Sequence, residues 1–195
     1  MVHIVAGHDF HFGYKGEGNP RRLQEKCAQL GIGCDIVDRV ELEGVTVSST
    51  YIRNLIAQGE IELANHFLGH PHVLSDTVSH GKKLGSTLGF PTVNLHLPQG
   101  VLAPAFGVYC SKVTLDSGEC FQAVTNVGVR PTVDDQRQLT VESFLLDFNG
   151  DLYGRAVRIE FYKFLREECK FSDIGALREQ ICNDVDRTKF FFNGA

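Results

Sequence analysis

Gly81 to Leu97, GKKLGSTLGFPTVNLHL, is the stretch in which loop chemistry runs directly into strand chemistry. Gly81, Gly85 and Gly89 recur every four residues. Pro91 cannot continue a helix and biases Phe90 to an extended conformation, so the stretch reads as a glycine loop entering a strand. Along that strand Thr92, Asn94 and His96 share one face and Val93, Leu95 and Leu97 the other, the period of a half-buried strand with a polar working face. A hydroxyl and an amide then stand side by side, just past backbone N–H groups that glycines leave uncovered. That is a seat suited to a metal-bound polyphosphate. The same residues also suit an ordinary loop leading into a barrel strand, and both readings stay open on these residues alone. Lys82 follows the first glycine directly, so G-x-x-x-x-G-K-[ST] is absent, and no H-R-D or D-F-G follows for a protein kinase.

From about His72 onward, on both sides of this stretch, the chain has β texture. Val73 to Val78, Phe106 to Leu115, Cys120 to Val127, Leu139 to Phe148 and Leu152 to Phe161 are β-rich runs. Asp116-Ser117-Gly118 and Asn149-Gly150 divide them, the latter predicting a hairpin. Five or six antiparallel strands without long helices between them predict a barrel or sandwich. Ser172 is the expected cap of a closing helix with Ile174, Leu177, Ile181 and Val185 on one stripe, interrupted by Gly175.

Upstream the order is strand, helix, strand, helix. Met1 to Ala6 predicts a buried strand ending at Gly7, with HDFHFGYKGEGNP as the loop beyond it. Arg21 to Leu30 has helical spacing, Cys34 to Val40 is a second strand, and Thr46 to Thr50 leads into a helix with Ile52, Leu55 and Ile56 on its core face. This order belongs to a parallel α/β sheet, in which ligands sit beyond the carboxyl ends of the strands. Arg53 in the first turn of the second helix opposes the helix dipole, which suits either a shared anion or a solvated surface side chain. His8, His11, His66, His70 and His72 lack acidic or cysteine partners at metal-binding spacing and read as solvated or core histidines.

The 195 residues, 43% of them apolar, are enough for one ordinary domain plus a smaller piece. Net charge is −5, and neither part is basic: the first seventy residues carry 6 basic and 9 acidic side chains, the remainder 13 and 15. Broad nucleic-acid binding is therefore excluded from the expectation. Six scattered cysteines with no C-x-x-C pair predict reduced thiols in a cytoplasmic protein, with neither zinc nor disulfides. No apolar run approaches a membrane span.

One acid stands out. By strand alternation Thr140, Glu142, Phe144, Leu146 and Phe148 share a face, which places Glu142 on the apolar side. Desolvation there would raise its pKa toward the range of a general base, unless the carboxylate simply reaches water at a barrel mouth.

The ordered set GHDFHFG, SSTYIR, LGFPTVNL, TNVGVRPT, VESFLLDFNGDLYG and LREECKF resembles the bacterial bifunctional riboflavin kinase/FMN adenylyltransferases (FAD synthetases) through essentially the whole chain. The resemblance implies a remnant of a Rossmann-like nucleotidyltransferase domain over residues 1–70. A riboflavin kinase domain over 71–195 would follow, a six-stranded antiparallel β-barrel with a C-terminal helix. It implies that Pro91, Thr92, Val93 and Asn94 match the family's P-T-A-N, with valine in place of alanine. Thr92 and Asn94 would hold Mg²⁺, or another divalent cation, and the ATP phosphates. The loop containing Gly81, Lys82, Gly85 and Gly89 would cover the nucleotide. Asn126, Gly128, Arg130 and Thr132 would belong to a flap, and Glu142 would be the base. Asp9, Phe10, Ser49, Thr50 and Arg53 would be what remains of the adenylyltransferase site. The family's first domain opens with a strand and an H-x-G-H-like loop, whereas this chain starts at the strand before GHDFHFG. The expected partners are therefore riboflavin, ATP and the missing front of its own first domain, without nucleic acid or membrane. The expected activity is FMN synthesis with little or no FAD formation. The alternatives are a bifunctional enzyme and a non-catalytic flavin-binding module.

Overall fold

The computed structural model of the chain describes residues 2–79, 92–97, 100–131 and 137–194. The glycine loop with Gly81, Lys82, Gly85 and Gly89, together with Pro91 and Thr132, lies outside the described residues. The chain divides into two compact units, Met1–Ser48 and Ser49–Ala195.

In the first unit β1 (His3–Gly7) pairs in parallel with β2 (Gly33–Val37), His3 opposite Gly33 and Gly7 opposite Val37. Between them runs α1 (Pro20–Gln29). The Asn19 side chain caps it by accepting from Arg22 N at 3.0 Å, and Pro20 occupies the first turn, where its missing N–H costs nothing. A tight hairpin, β3 (Glu41–Leu42) and β4 (Val45–Thr46), follows; Glu43 and Gly44 both take positive φ, as a primed turn needs. The expected burial of the opening strand is not found, since Val5 is 64% exposed. One helix covers a two-stranded sheet on one side, and Cys27 is the one buried apolar side chain among the described residues of this unit.

The second unit opens with α2 (Ser49–Gln58) and α3 (Ile61–Leu68), the latter stopped at Gly69 in the left-handed region. The expected face of α2 is borne out, with Ile52, Leu55 and Ile56 all buried. Asn65 of α3 ties the pair to the strands beyond, donating to Phe161 O and accepting from His72 N, each at 2.7 Å. The packing boundary thus falls near Ser48, whereas the change in sequence texture comes near residue 70.

Six strands then form one antiparallel sheet: β5 (His72–Thr77), β6 (Thr92–His96), β7 (Gly107–Leu115), β8 (Cys120–Pro131), β9 (Arg137–Leu145) and β10 (Ala156–Arg166). Their order is β5-β10-β7-β8-β9-β6, and a bridge between Ser79 and Asn94 joins the two ends. Ser79 N and Oγ both donate to Asn94 O, at 2.8 and 3.0 Å. The interior is filled by Leu95, Tyr109, Val113, Val127, Val141, Leu145, Ile159 and Phe161, all at most 2% exposed. Burying each of these large side chains stabilises the fold by about 1.5–3 kcal/mol. Three hydroxyls share that interior: Ser111 Oγ donates to Ala123 O at 2.9 Å, and Thr125 Oγ1 lies 2.6 Å from Ser111 Oγ and 2.7 Å from Ser143 Oγ.

Those hydroxyls correct one expectation. On β9 the core-facing residues are Val141, Ser143 and Leu145, so Glu142 and Phe144 lie on the outer face, half-buried. Ser143 can occupy the core because Thr125 satisfies it, and that hides the true phase of the strand from a polarity pattern. A second correction concerns Asn149-Gly150: β9 and β10 do not pair. The chain instead turns where Asp147 and Gly154 take positive φ, carrying buried Leu152 between them.

The closing helix α4 (Ile174–Asn193) lies over the outer face. Its cap is Asp173, not Ser172: Asp173 Oδ1 accepts from Ala176 N at 2.9 Å, while Ser172 Oγ donates to Oδ2 at 3.0 Å. Those bonds, the backbone one foremost, hold the Asp173 carboxyl below the usual carboxylate range. Ile174, expected on the apolar stripe, is 67% exposed, and the most buried side chains of the helix are the polar Asp184 and Thr188. Val185 and Phe192 pack on the cluster of Val108, Cys110, Val124 and Leu165. Among the described residues no helix is long and apolar enough to cross a membrane.

Candidate functional site

The sheet register assembles the site. Asn94 on β6 is opposite Glu142 on β9, and Glu142 is opposite Asn126 on β8, so three polar side chains form one row across three strands. Two residues along, Thr92, Phe144 and Val124 make a parallel, mostly apolar row. Directly opposed side chains in an antiparallel sheet have Cβ atoms about 4.5–5.5 Å apart, so each row is a set of touching neighbours. The expected alternation of β6 is borne out: Val93 and Leu95 enter the core, while Thr92 and Asn94 join the face that holds Glu142.

A cavity of about 240 Å³ opens over this face. Thr92, Asn126, Glu142, Phe144 and Val124 form its floor, Arg166, Glu168, Cys169 and Phe171 one wall, and Leu177, Ile181 and Asp184 of α4 the other. The lining is apolar apart from a few placed polar groups, the usual character of a site for a small organic molecule. A second cavity, of about 210 Å³, lies at the entry of β6, bounded by Val78, Thr92, Asn94, Phe148, Asp151 and Tyr153 among others. Thr92 borders both cavities.

Asn94 is 5% exposed and anchored by its backbone at the seam of the barrel. Its Nδ2 makes only a long contact to Thr92 O, 3.5 Å, and its Oδ1 is buried without a hydrogen-bond partner among the described residues. A buried carbonyl oxygen left unpaired costs about 1–3 kcal/mol, so its place beside a hydroxyl marks it as an acceptor waiting for a cation or donor. Amide and hydroxyl oxygens are hard donors suited to Mg²⁺, which takes few protein ligands and completes its shell with phosphate oxygens and water. The pair therefore fits such an ion.

Asn126 donates from Nδ2 to Glu168 Oε1 at 3.1 Å. Gly128, two residues on, is where that carboxylate rests: a Cβ there would come within 2.3 Å of Glu168 Oε1. Arg130 lies on β8, opposite Gln138 in the register. Asp9 and Phe10 follow β1 in the first unit, Phe10 stacking on Phe12 at 5.7 Å, whereas in the second unit Ser49 and Thr50 open α2 and Arg53 follows one turn along it, all three exposed. The sequence pattern does not mark the wall residues Arg166, Glu168 and Phe171. Asp184 had a signal, because a carboxylate at seven residues from Leu177 falls on the apolar stripe of its helix.

A riboflavin kinase family model matches residues 68–192 and an FAD synthetase family model residues 1–51. The chain is 38% identical over 195 residues to the bifunctional riboflavin kinase/FMN adenylyltransferase of Bacillus subtilis, covering 99% of this chain and 61% of that protein. It is 42% identical over 190 residues to the protein of the same name from Haemophilus influenzae, covering 97% and 61%. Among solved structures, one described as a macrolide-efflux protein from Streptococcus pneumoniae superposes with a TM-score of 0.84 at 33% identity, covering 96% of this chain and 60% of that one. The chain spans about three-fifths of the length of the curated relatives it matches.

Proposed function

Since the chain belongs to the riboflavin kinase family, we propose that it transfers the γ-phosphoryl group of ATP to the ribityl 5′-hydroxyl of riboflavin, giving FMN. The observation that carries this reading is the position of Thr92 on the border of two cavities, with Asn94 and Glu142 paired beside it. The apolar cavity under α4 receives the flavin, with Phe144, Phe171 and Leu177 against the ring and the polar row toward the ribityl chain. The second cavity receives the nucleotide, so the transferring group passes at Thr92.

In this reading Glu142 accepts the proton of the 5′-hydroxyl as that oxygen attacks the γ-phosphorus, and the bond to the β,γ-bridging oxygen breaks with ADP leaving. Phosphoryl transfer asks little covalent chemistry of a protein; alignment and charge neutralisation supply most of the acceleration. Thr92 and Asn94 Oδ1 would hold Mg²⁺, which when bound neutralises charge on the phosphate oxygens. Asn126 orients the acceptor chain, and Phe144 with the α4 wall excludes water. Oxygen-only ligation favours Mg²⁺ or Mn²⁺ over Zn²⁺, which prefers nitrogen and sulfur. In this reading the activity is cytoplasmic, with residues 71–195 as the kinase domain and 1–70 as adenylyltransferase-related.

The FAD synthetase match over residues 1–51 favours a second reading, in which FMN is also adenylylated. Asp9, Phe10, Ser49, Thr50 and Arg53 would serve that step. One assay separates the readings: the chain is incubated with riboflavin and Mg²⁺-ATP and the flavins resolved by chromatography. FMN alone supports the kinase, FMN followed by FAD supports both activities, and unchanged riboflavin refutes both.

A further inference from the structure

We propose that Arg166 and Asp184 are positioning residues for the flavin side of the site, acting through Glu168 and Asn126; the inference rests on the riboflavin kinase reading above. Asp184 is 1% exposed, yet its carboxylate takes the Arg166 guanidinium in a two-pronged grip. Nε lies 3.1 Å from Oδ1 and 3.0 Å from Oδ2, and Nη2 lies 2.8 Å from Oδ2. Gln180 Nε2 adds a donor to Oδ1 at 3.0 Å. Desolvation offsets most of the attraction in a buried ion pair, so such a pair adds little net stability over an apolar contact. What this one adds is direction, since a guanidinium fork bound on two sides cannot rotate.

The remaining nitrogen of Arg166 turns to the segment that follows it. Nη1 donates to Glu167 O at 3.0 Å and to Cys169 Sγ at 3.3 Å, and the guanidinium carbon lies 5.9 Å from the centre of the Phe171 ring. Residues 167–171 form no strand or helix, so these contacts stand in for a backbone ladder. The segment carries Glu168 to Asn126 Nδ2, and Asn126 is the cross-strand neighbour of Glu142. Side-chain bonds, the short segment around Glu168 and one cross-strand neighbour pair thus link the buried side of α4 to the residue proposed as the base. A pair serving only to hold α4 down would have no reason to reach Cys169 and Phe171.

The test is steady-state FMN formation by the full chain, with riboflavin and Mg²⁺-ATP varied separately. Riboflavin Kd is read from flavin fluorescence, and the variants are D184N, R166K, E168Q and the double variant D184N/E168Q. A flavin-side wall that is no longer held loses binding contacts made equally in ground and transition states, so D184N is expected to raise riboflavin KM and Kd by about 10-fold or more and leave the KM for ATP unchanged. R166K keeps the charge but not the fork and is expected to behave alike. E168Q is expected to reproduce the riboflavin effect, and the double variant to be no worse than either single one, because both break the same chain of contacts. Should D184N fail to fold, E168Q and R166K decide the matter, Glu168 being exposed. Unchanged riboflavin KM in E168Q, equal rises for both substrates, or additive losses in the double variant would overturn the inference while the kinase reading stands. A wild-type chain that makes no FMN would overturn the reading and the inference together.

Discussion

Replacing Thr125 by valine should destabilise the barrel far more than its size suggests, and a second substitution should restore much of the loss. Ser111, Thr125 and Ser143 are all 0% exposed and carry one hydroxyl proton each. Ser111 donates to Ala123 O, so the proton between Ser111 and Thr125 comes from Thr125, and the one between Thr125 and Ser143 from Ser143. Valine matches threonine in shape but ends that relay. Ser111 keeps its bond to Ala123, whereas Ser143 loses its acceptor in a dry interior. An orphaned buried hydroxyl costs about 1–3 kcal/mol, and the lost net bonds bring Thr125→Val to about 2–3 kcal/mol. For a unit of about 150 residues that is a fall in Tm of about 4–12 °C. In Thr125→Val/Ser143→Ala the orphan is gone, and the double variant is expected to recover about 1 kcal/mol or more relative to the single one. Urea denaturation followed by tyrosine emission reports on this unit, since the chain has no tryptophan and four of its five tyrosines lie in residues 49–195. A double variant less stable than Thr125→Val would refute the relay, as would a single variant indistinguishable from wild type.

Thr92→Val is expected to leave the barrel folded, because valine keeps the β-branched shape on a half-buried strand position, while raising the divalent-cation and ATP concentrations needed for half-maximal rate; an unchanged metal titration with normal turnover would remove Thr92 from the site. Backbone amides of residues 2–48 are expected to exchange faster and resist proteolysis less than those of β7–β10, because that unit buries one apolar side chain where the barrel buries a full interior. Equal protection factors across both units would contradict this.

What could be read directly from the sequence depended on how clean the alternation was. β6 was legible because each core position, Val93 and Leu95, is aliphatic and each outward one polar. α2 was legible for the same reason at helical spacing. β9 inverted, because Ser143 faces inward and Phe144 outward: polarity marks the core only where buried polar groups have no private partner, and Thr125 supplies one. The hairpin expected at Asn149-Gly150 failed because strand neighbours are set by barrel closure, which puts β10 between β5 and β7 and β9 between β8 and β6. Asp173 displaced Ser172 as the helix cap, a shift of one residue between two competent acceptors. α3 was not legible, because its eight residues are short for a periodic pattern and His66 interrupts their apolar run. As for the site, Thr92, Asn94 and Glu142 were found from residue type and resemblance, and the register makes Asn94 and Glu142 direct neighbours. The wall formed by Arg166, Glu168 and Phe171 was not legible, since only tertiary packing brings those residues over strands far earlier in the chain, and Asp184 was legible only as a carboxylate on the apolar stripe of α4.

That Glu142 removes the proton of the attacking hydroxyl is best tested by comparing wild type with Glu142→Gln in single-turnover conversion of bound riboflavin to FMN. The glutamine keeps the shape and polarity of the side chain at the cavity floor but cannot take a proton at neutral pH. Riboflavin Kd should change little, and the rate of FMN formation should fall by about 10²–10⁴-fold, the contribution of a general base. A Glu142→Gln chain that forms FMN at a near wild-type rate would contradict that role.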